Sequence, residues 1–290
     1  MRLWVICGKV GNYEVWEQAI TAGKNLLKKY DLELSLYRRD DITYIVGGDG
    51  ETRLFAKGAE TEAPDRVLLW GHYDGMMEGI SDQLTRMGTV SINSIEAKRI
   101  AGSKLATAQL LASENIPQAK TMPIYHNTSK ELILKEFGLP LIVKPDLGFG
   151  GKGIELLHTE DEVERYLADL PEKPQDVVLA QEYIGTSKGR DLRVVMVGGK
   201  AFTSVVRQAG DPEEFRSNIH QGGHYEEFTL TDEVRALCEK TAKLSGLAIC
   251  GLDLLFKEDG FVIGEINCSP GIQTLVQKAG IEKFIALLMS

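Results

Sequence analysis

Cysteine is scarce and scattered. Cys7, Cys238, Cys250 and Cys268 include no C-x-x-C pair, which argues against both a zinc ribbon and a disulfide framework. Long apolar runs are missing too, since no stretch reaches the ~18 apolar residues of a membrane span. The opening MRLWVICGKVG is too short in apolar residues before Gly8 and Lys9 to form a signal-peptide core, so a cytoplasmic protein without a membrane partner is expected. Basic residues are the minority, 33 Lys and Arg against 42 Asp and Glu. A net charge of −9 speaks against nucleic acid as partner, because phosphate binding on that scale needs clustered cations. Repeats, low-complexity tracts and flexible linkers are also lacking. What remains is a globular composition, 43% hydrophobic and 26% charged, over 290 residues, a length that folds as two or three packed lobes.

Residues 1–93 alternate strand and helix signals. LWVIC reads as a buried strand, and Trp16, Ile20, Gly23, Leu27 and Tyr30 recur at helical spacing before Leu32, Leu34 and Leu36 alternate. ITYIV and RLFA flank GGDGET as a hairpin. RVLLWG and TVSIN are further strands, with a short helix over 76–87 between them. This pattern predicts a three-layer α/β lobe. Ser94 is placed to cap a long helical stretch that follows it. From about 120 the strands PLIVK, GIELL, DVVLAQEYI, DLRVVMVGG, KAFTSVVRQ, AICGLDLLF and GFVIGEIN dominate. Helices are expected near 160–169, from Thr231 to about Leu244, and at the C-terminus, which together make an α+β unit.

The segment KPDLGFGGKGIELL contains a literal G-x-G-x-x-G from Gly148 to Gly153. A dinucleotide fingerprint must open a helix, and here IELLHT continues as a strand instead. A phosphate-binding P-loop is excluded as well, because Gly153 follows Lys152 where Ser or Thr is required. Strand, glycine loop, strand remains: either a flexible hairpin turn or a flap whose amides fold over phosphates. Lys144, ending the strand before the loop, is placed to reach phosphates as a point charge.

Asp253, Glu265 and Asn267 each interrupt an apolar strand, where an unpaired polar group is costly to bury. Glu265 and Asn267, two apart, share a face. A three-residue hairpin loop Glu258-Asp259-Gly260 would set Asp253 opposite Glu265. Three oxygen donors so gathered suit Mg²⁺ or Mn²⁺; the alternative is structural pairing of the two carboxylates with arginines. Between them RQAGDPEEFRSNIHQGG carries Arg207, Arg216, Asn218 and His220. This is either a clamp on a phosphoryl group or carboxylate, or a solvated loop with salt bridges. His220 and His224 have no third zinc ligand nearby.

SKLATAQLLASENIPQAKT, LIVKP with GGKGI, LAQEYIGTSKGRDLRVV, VVRQAGDPEEFRSNIHQGG, GLDLLF and GEINCSPG, in that order, together resemble the RimK-type ATP-grasp ligases over about 94–290. The resemblance implies an ATP-grasp fold: a pre-ATP-grasp α/β domain over 1–93, a lid and central subdomain over 94–183, and a C-terminal metal-bearing subdomain over 184–290, with nucleotide between the last two. It implies that Lys104 and Lys144 contact ATP phosphates beneath a flap containing Gly150 and Gly151. Gln181, Glu182, Tyr183 and Ile184 would form the hinge on adenine, with Asp191 a nearby nucleotide contact and Arg193 beside the acceptor pocket. Arg216, Ser217 and Asn218 would approach the γ-phosphate, with Arg207 assisting, and Asp253, Glu265 and Asn267 would hold Mg²⁺ or Mn²⁺, as one ion or two.

The implied activity is an ADP-forming ligation of a carboxylate to an amine through an acyl phosphate. Its partners are an amino acid such as glutamate and a carboxylate-bearing peptide, protein terminus or small molecule, and homo-oligomers are expected. Alternatives are a non-catalytic ATP-binding module and a D-alanine-type dipeptide ligase, the latter opposed by the FRSNIHQGG block. Three features depart from the family pattern: the glycine-rich FGGKG, an extra residue in RQAGDPEEF, and WGHYDGMM, which has no counterpart.

Overall fold

The computed structural model of the protein describes residues 1–8, 10–22, 28, 31–48, 50–71, 75–148, 150–172, 176–211, 214–216 and 223–271. The expected C-terminal helix, and His72, Tyr73 and Asp74 of WGHYDGMM, lie outside the described residues.

The first lobe contains β1 (Arg2–Cys7), α1 (Val10–Ala22), β2 (Glu33–Arg38), β3 (Ile42–Val46), β4 (Thr52–Ala56), β5 (Ala59–Thr61), β6 (Arg66–Trp70), α2 (Gly75–Arg86) and β7 (Val90–Ile92). A parallel sheet runs in the order β2-β1-β6-β7, and β3, β4 and β5 form a small antiparallel sheet around the expected hairpin. β1 is apolar at consecutive positions because both its faces are covered. Leu3, Val5 and Cys7 pack with Trp16 of α1 and with Val195, Val197 and Ile249 from the C-terminal half. Trp4 and Ile6, on the other face, pack with Leu54 of β4 and with Met77, Ile80 and Leu84 of α2. The first lobe therefore shares one core with the C-terminal sheet, a contact that local patterning does not announce.

Ser94 caps α3 (Ile95–Gly102), its hydroxyl accepting from the Ala97 amide at 3.2 Å. The single long helix expected after it is instead two helices, α3 and α4 (Lys104–Ser113), because Ser103 between them is extended at φ −100° and ψ 120°. Ser103 leaves the helical path to cap α4, accepting from the Ala106 amide at 3.0 Å and donating to the Asp146 carboxylate. No helix among the described residues is long and apolar enough to cross a membrane.

The second lobe is a four-stranded sheet, order β10-β9-β11-β8, from β8 (Thr121–Ile124), β9 (Leu141–Pro145), β10 (Glu155–Leu157) and β11 (Val178–Glu182). Its pairings are antiparallel. Helices α5 (Lys130–Phe137) and α6 (Glu160–Asp169) cover one face through Ile133, Val163 and Leu167. The third lobe is a five-stranded antiparallel sheet, order β14-β13-β12-β15-β16. It is built from β12 (Arg190–Val197), β13 (Lys200–Gln208), β14 (His224–Glu227), β15 (Ile249–Lys257) and β16 (Gly260–Asn267). α7 (Asp232–Ser245) starts at its Thr231 cap as expected and packs with α3 and α4 on one face, through Val234, Cys238, Ala97 and Leu111.

Candidate active site

The second and third sheets meet beside α4 at a cleft lined by Lys104, Lys144, Gln181, Gly264 and Glu265. The period of two along a strand decides what faces it. In LIVKP, Leu141 and Val143 enter the helix-covered core of the second lobe, so Lys144 turns to the cleft. Lys144 is 7% exposed, and its ammonium donates to Gln181 Oε1 at 2.8 Å. Desolvation, reinforced by Lys104 and opposed by Glu265, brings its pKa down to about 8. Gln181 is fixed in turn, donating to Thr121 Oγ1 at 2.8 Å. Glu182 spans the lobes, accepting from the Lys120 amide at 3.1 Å and from Lys257 at the end of β15 at 3.4 Å. Ile184, two residues on, is buried with Ala119 and Val262, so Glu182 and Ile184 of the expected hinge contact the third sheet.

On the opposing wall, Leu192, Val194, Leu252, Leu254, Ile263 and Ile266 enter the helix-covered core. The intervening Asp191, Arg193 and Asp253 therefore lie on the cleft face. Asp253 pairs directly with Glu265, but by a different route from the one expected. The turn has only two loop residues, since Lys257 pairs with Gly260, and a bulge at Gly264 restores the register, Leu254 pairing with Ile263. A Cβ on Gly264 would stand 3.0 Å from Leu255 Cγ and 3.3 Å from the Asp253 carbonyl.

Asp253 is the centre of a buried polar chain. Arg193, its cross-strand partner on β12, engages both carboxylate oxygens. Arg207 reaches Oδ2 at 3.0 Å and Asn267 Nδ2 donates to the same oxygen at 3.0 Å. Burial would raise the Asp253 pKa, but Arg193 and Arg207 outweigh it and hold the carboxyl below the usual range. Glu265 moves the other way: desolvation and the facing Asp253 push it up against the pull of Lys104 and Lys144. Asp191 is clasped by both arms of the Arg207 guanidinium. Burial opposes the charge on Arg207, and the two aspartates more than compensate, raising its pKa.

The glycine loop is held at Gly148 by Lys104 and at Gly151 by Arg216. Gly150 and Gly151 have φ of 69° and 72°, a left-handed backbone that side-chain-bearing residues adopt only at a cost. Arg216 Nη1 donates to the Gly151 carbonyl at 3.1 Å while its other nitrogens hold Glu214 at 2.9 and 2.7 Å. Lys104, at the start of α4, donates to the Asp146 and Gly148 carbonyls at 3.2 and 3.1 Å and lies 4.0 Å from Glu265 Oε1.

Of the candidate residues, Lys104, Lys144, Gln181 and Glu265 line the cleft, and Asp191, Arg193, Arg207 and Asn267 form one polar chain with Asp253, while Ser217 and Asn218 lie outside the described residues together with His220. Both readings of the carboxylates have a counterpart here. Three oxygen-bearing side chains converge, and the arginine pairing weighed as their alternative is also present at Asp253. Among the described residues no group of three His, Cys, Asp or Glu gathers at a metal-binding distance, so the candidate metal site is two carboxylates and an amide. Asp146, Ser103 and Glu214 were not singled out as site residues. Asp146 had a readable signal, a lone acid between the strand lysine and the glycines.

A family model of the RimK-like ATP-grasp domain matches residues 101–290. The probable alpha-L-glutamate ligase of Vibrio atlanticus (strain LGP32) is 35% identical over 199 residues, 68% of this chain and 65% of that protein. The one of Maridesulfovibrio salexigens is 36% identical over 203 residues, 69% of this chain and 64% of that protein. The chain accordingly spans just under two thirds of these relatives' length. In fold it is similar to the ATP-grasp ligase PsnB complexed with a minimal precursor, at a TM-score of 0.73 and 20% identity over 99% of this chain and 98% of PsnB. A complex of PsnB with the precursor, Mg and ADP gives a TM-score of 0.69 at 20% identity over 99% and 98%. With well over half of its length matched by the family model and identities above 30% to its curated relatives, this chain belongs to the RimK-like ATP-grasp family.

Proposed function

We propose that the chain is an ATP-dependent, ADP-forming ligase that joins an amino acid such as glutamate to a carboxylate of a peptide, protein or small molecule. The observation that carries this reading is the opposition of Lys104 and Lys144 to Glu265 across one cleft, with Asp253 in register beside Glu265. The names of the glutamate ligases and the precursor-bound PsnB support the substrate class.

Asp253, Glu265 and Asn267 offer only oxygen donors, a set that fits Mg²⁺ or Mn²⁺, and two ions are proposed. Asp253 would have to share its oxygens with, or release, Arg193. Bound there, the metal supplies charge neutralisation for the triphosphate.

In the proposed reaction a substrate carboxylate oxygen attacks the γ-phosphorus of ATP, the bond from that phosphorus to the bridging oxygen breaks, and ADP leaves. The amine of the incoming amino acid then attacks the acyl carbon, expels phosphate, and loses its proton to solvent or to a phosphate oxygen. Lys104 and Lys144 hold phosphate oxygens, and Arg216, Arg207, Ser217 and Asn218 stabilise the charge in transfer. Gln181, Glu182, Tyr183, Ile184 and Asp191 face the nucleoside, Arg193 the acceptor, and Gly150 and Gly151 exclude water as a flap. The division at 93 and 183, a cytoplasmic location and assembly into homo-oligomers belong to the same proposal.

One observation favours the alternative of a non-catalytic nucleotide-binding module: Asp253 already accepts from two arginines and an amide. Release of ADP and phosphate, measured while pairs of amino acids and carboxylate acceptors are offered with ATP, separates the two. Stimulation by one pair is the expected result. ATP binding without stimulation by any pair would favour the module.

A further inference from the structure

Asp146 has no part in the roles above, yet it is 7% exposed and its carboxylate is fully engaged. Oδ1 and Oδ2 accept from Ser103 Oγ at 3.0 and 2.9 Å, and Oδ1 also accepts from the Leu105 amide at 2.7 Å. Ser103 is the N-cap of α4 and Leu105 lies in its first turn, so the carboxylate sits at the positive end of that helix. The Asp146 main chain serves both neighbours. Its amide donates to the Val177 carbonyl at 2.8 Å, extending the β9–β11 pairing, and its carbonyl accepts from the Lys104 amide at 3.4 Å and from Lys104 Nζ at 3.2 Å. A bridge between Ser103 and Leu147 continues the contact. One residue therefore joins the second sheet, the root of the glycine flap and the helix that carries Lys104.

We infer that Asp146 is a positioning residue: it docks the flap root onto α4 and so holds the Lys104 ammonium where it faces Glu265. An acceptor is required there, because Ser103 Oγ already accepts from Ala106 and must donate in turn, and the Leu105 amide donates too; a carboxylate meets both without bringing a donor of its own. The inference rests on the proposed reading of Lys104 as a phosphate ligand. It predicts a defect that depends on the β- and γ-phosphates and spares the nucleoside.

The test is calorimetric binding of ATP and AMP, with Mg²⁺ present, to the wild type, Asp146→Ala, Asp146→Asn and the exchange Ser103→Asp/Asp146→Ser. Asp146→Ala should weaken ATP about tenfold, the scale of a lost charged hydrogen bond, with AMP affinity unchanged. The exchange should recover most of that loss, since an aspartate is a good N-cap and the introduced serine can donate to it. If Asp146→Ala fails to fold, Asp146→Asn carries the comparison, with the same selective loss of ATP expected. Equal loss of ATP and AMP, or unchanged ATP binding in the folded Asp146→Ala or Asp146→Asn variant when the wild type binds ATP, or an exchange that recovers none of the loss, overturns the positioning role. A wild type that binds no ATP overturns the functional reading beneath it.

Discussion

Arg193 and Asp253 are direct cross-strand partners of β12 and β15, and the guanidinium covers both carboxylate oxygens. A cation arriving at Asp253 meets a positive charge already in place. Arg193→Met should therefore bind Mn²⁺ at least about fivefold more tightly than the wild type, an amount well inside the Coulomb energy of two charges near a protein surface. Electron paramagnetic resonance titration without nucleotide reads this, and an unchanged affinity would show that Arg193 and the metal do not compete.

Lys144 gives a pH dependence of defined sign. Its folded pKa of about 8 lies below the ordinary 10.5, so between those values the unfolded chain binds more protons and stability rises with pH. Denaturant unfolding should show wild type gaining on Lys144→Met from pH 8 to 10. Lys98, also brought down to about 8 by burial, contributes equally to both proteins and cancels in the difference. ATP affinity should move the opposite way, falling above pH 8 as Lys144 loses its charge.

Gly264 sets the register of the carboxylates. Gly264→Ala forces a methyl group into 3.0 Å of Leu255 Cγ, a crowding worth about 1–3 kcal/mol. We expect a loss of stability in that range together with a fall in kcat larger than any change in the KM for the acceptor. An unaffected kcat would mean that the bulge does not position Glu265.

The pairing of Asp253 with Glu265 was legible because each acid broke an apolar strand, and an alternating pattern fixes which side chains share a face. The route was not legible: a three-residue loop and a two-residue loop with a bulge give the same partner for Asp253, and a lone glycine does not distinguish them. The break at Ser103 had a local signal as well, since Gly102-Ser103 places a poor helix former before a preferred N-cap inside IEAKRIAGSKLATAQLL; its partner, the carboxylate of Asp146 43 positions later, was not legible. Asp191 shows the same limit. Its place on the cleft face follows from alternation along β12, while its union with Arg207 depends on how β12 and β13 pair across a bulge between Val195 and Met196.

The most direct test of the metal-nucleotide claim is the binding of Mn²⁺ in the presence of ATP, followed by electron paramagnetic resonance in the wild type, Glu265→Gln and Asn267→Ala. The account predicts ATP-enhanced Mn²⁺ binding in the wild type and a loss of more than about tenfold in both variants, with thermal melting showing that they remain folded. Equal Mn²⁺ binding in all three proteins would contradict it.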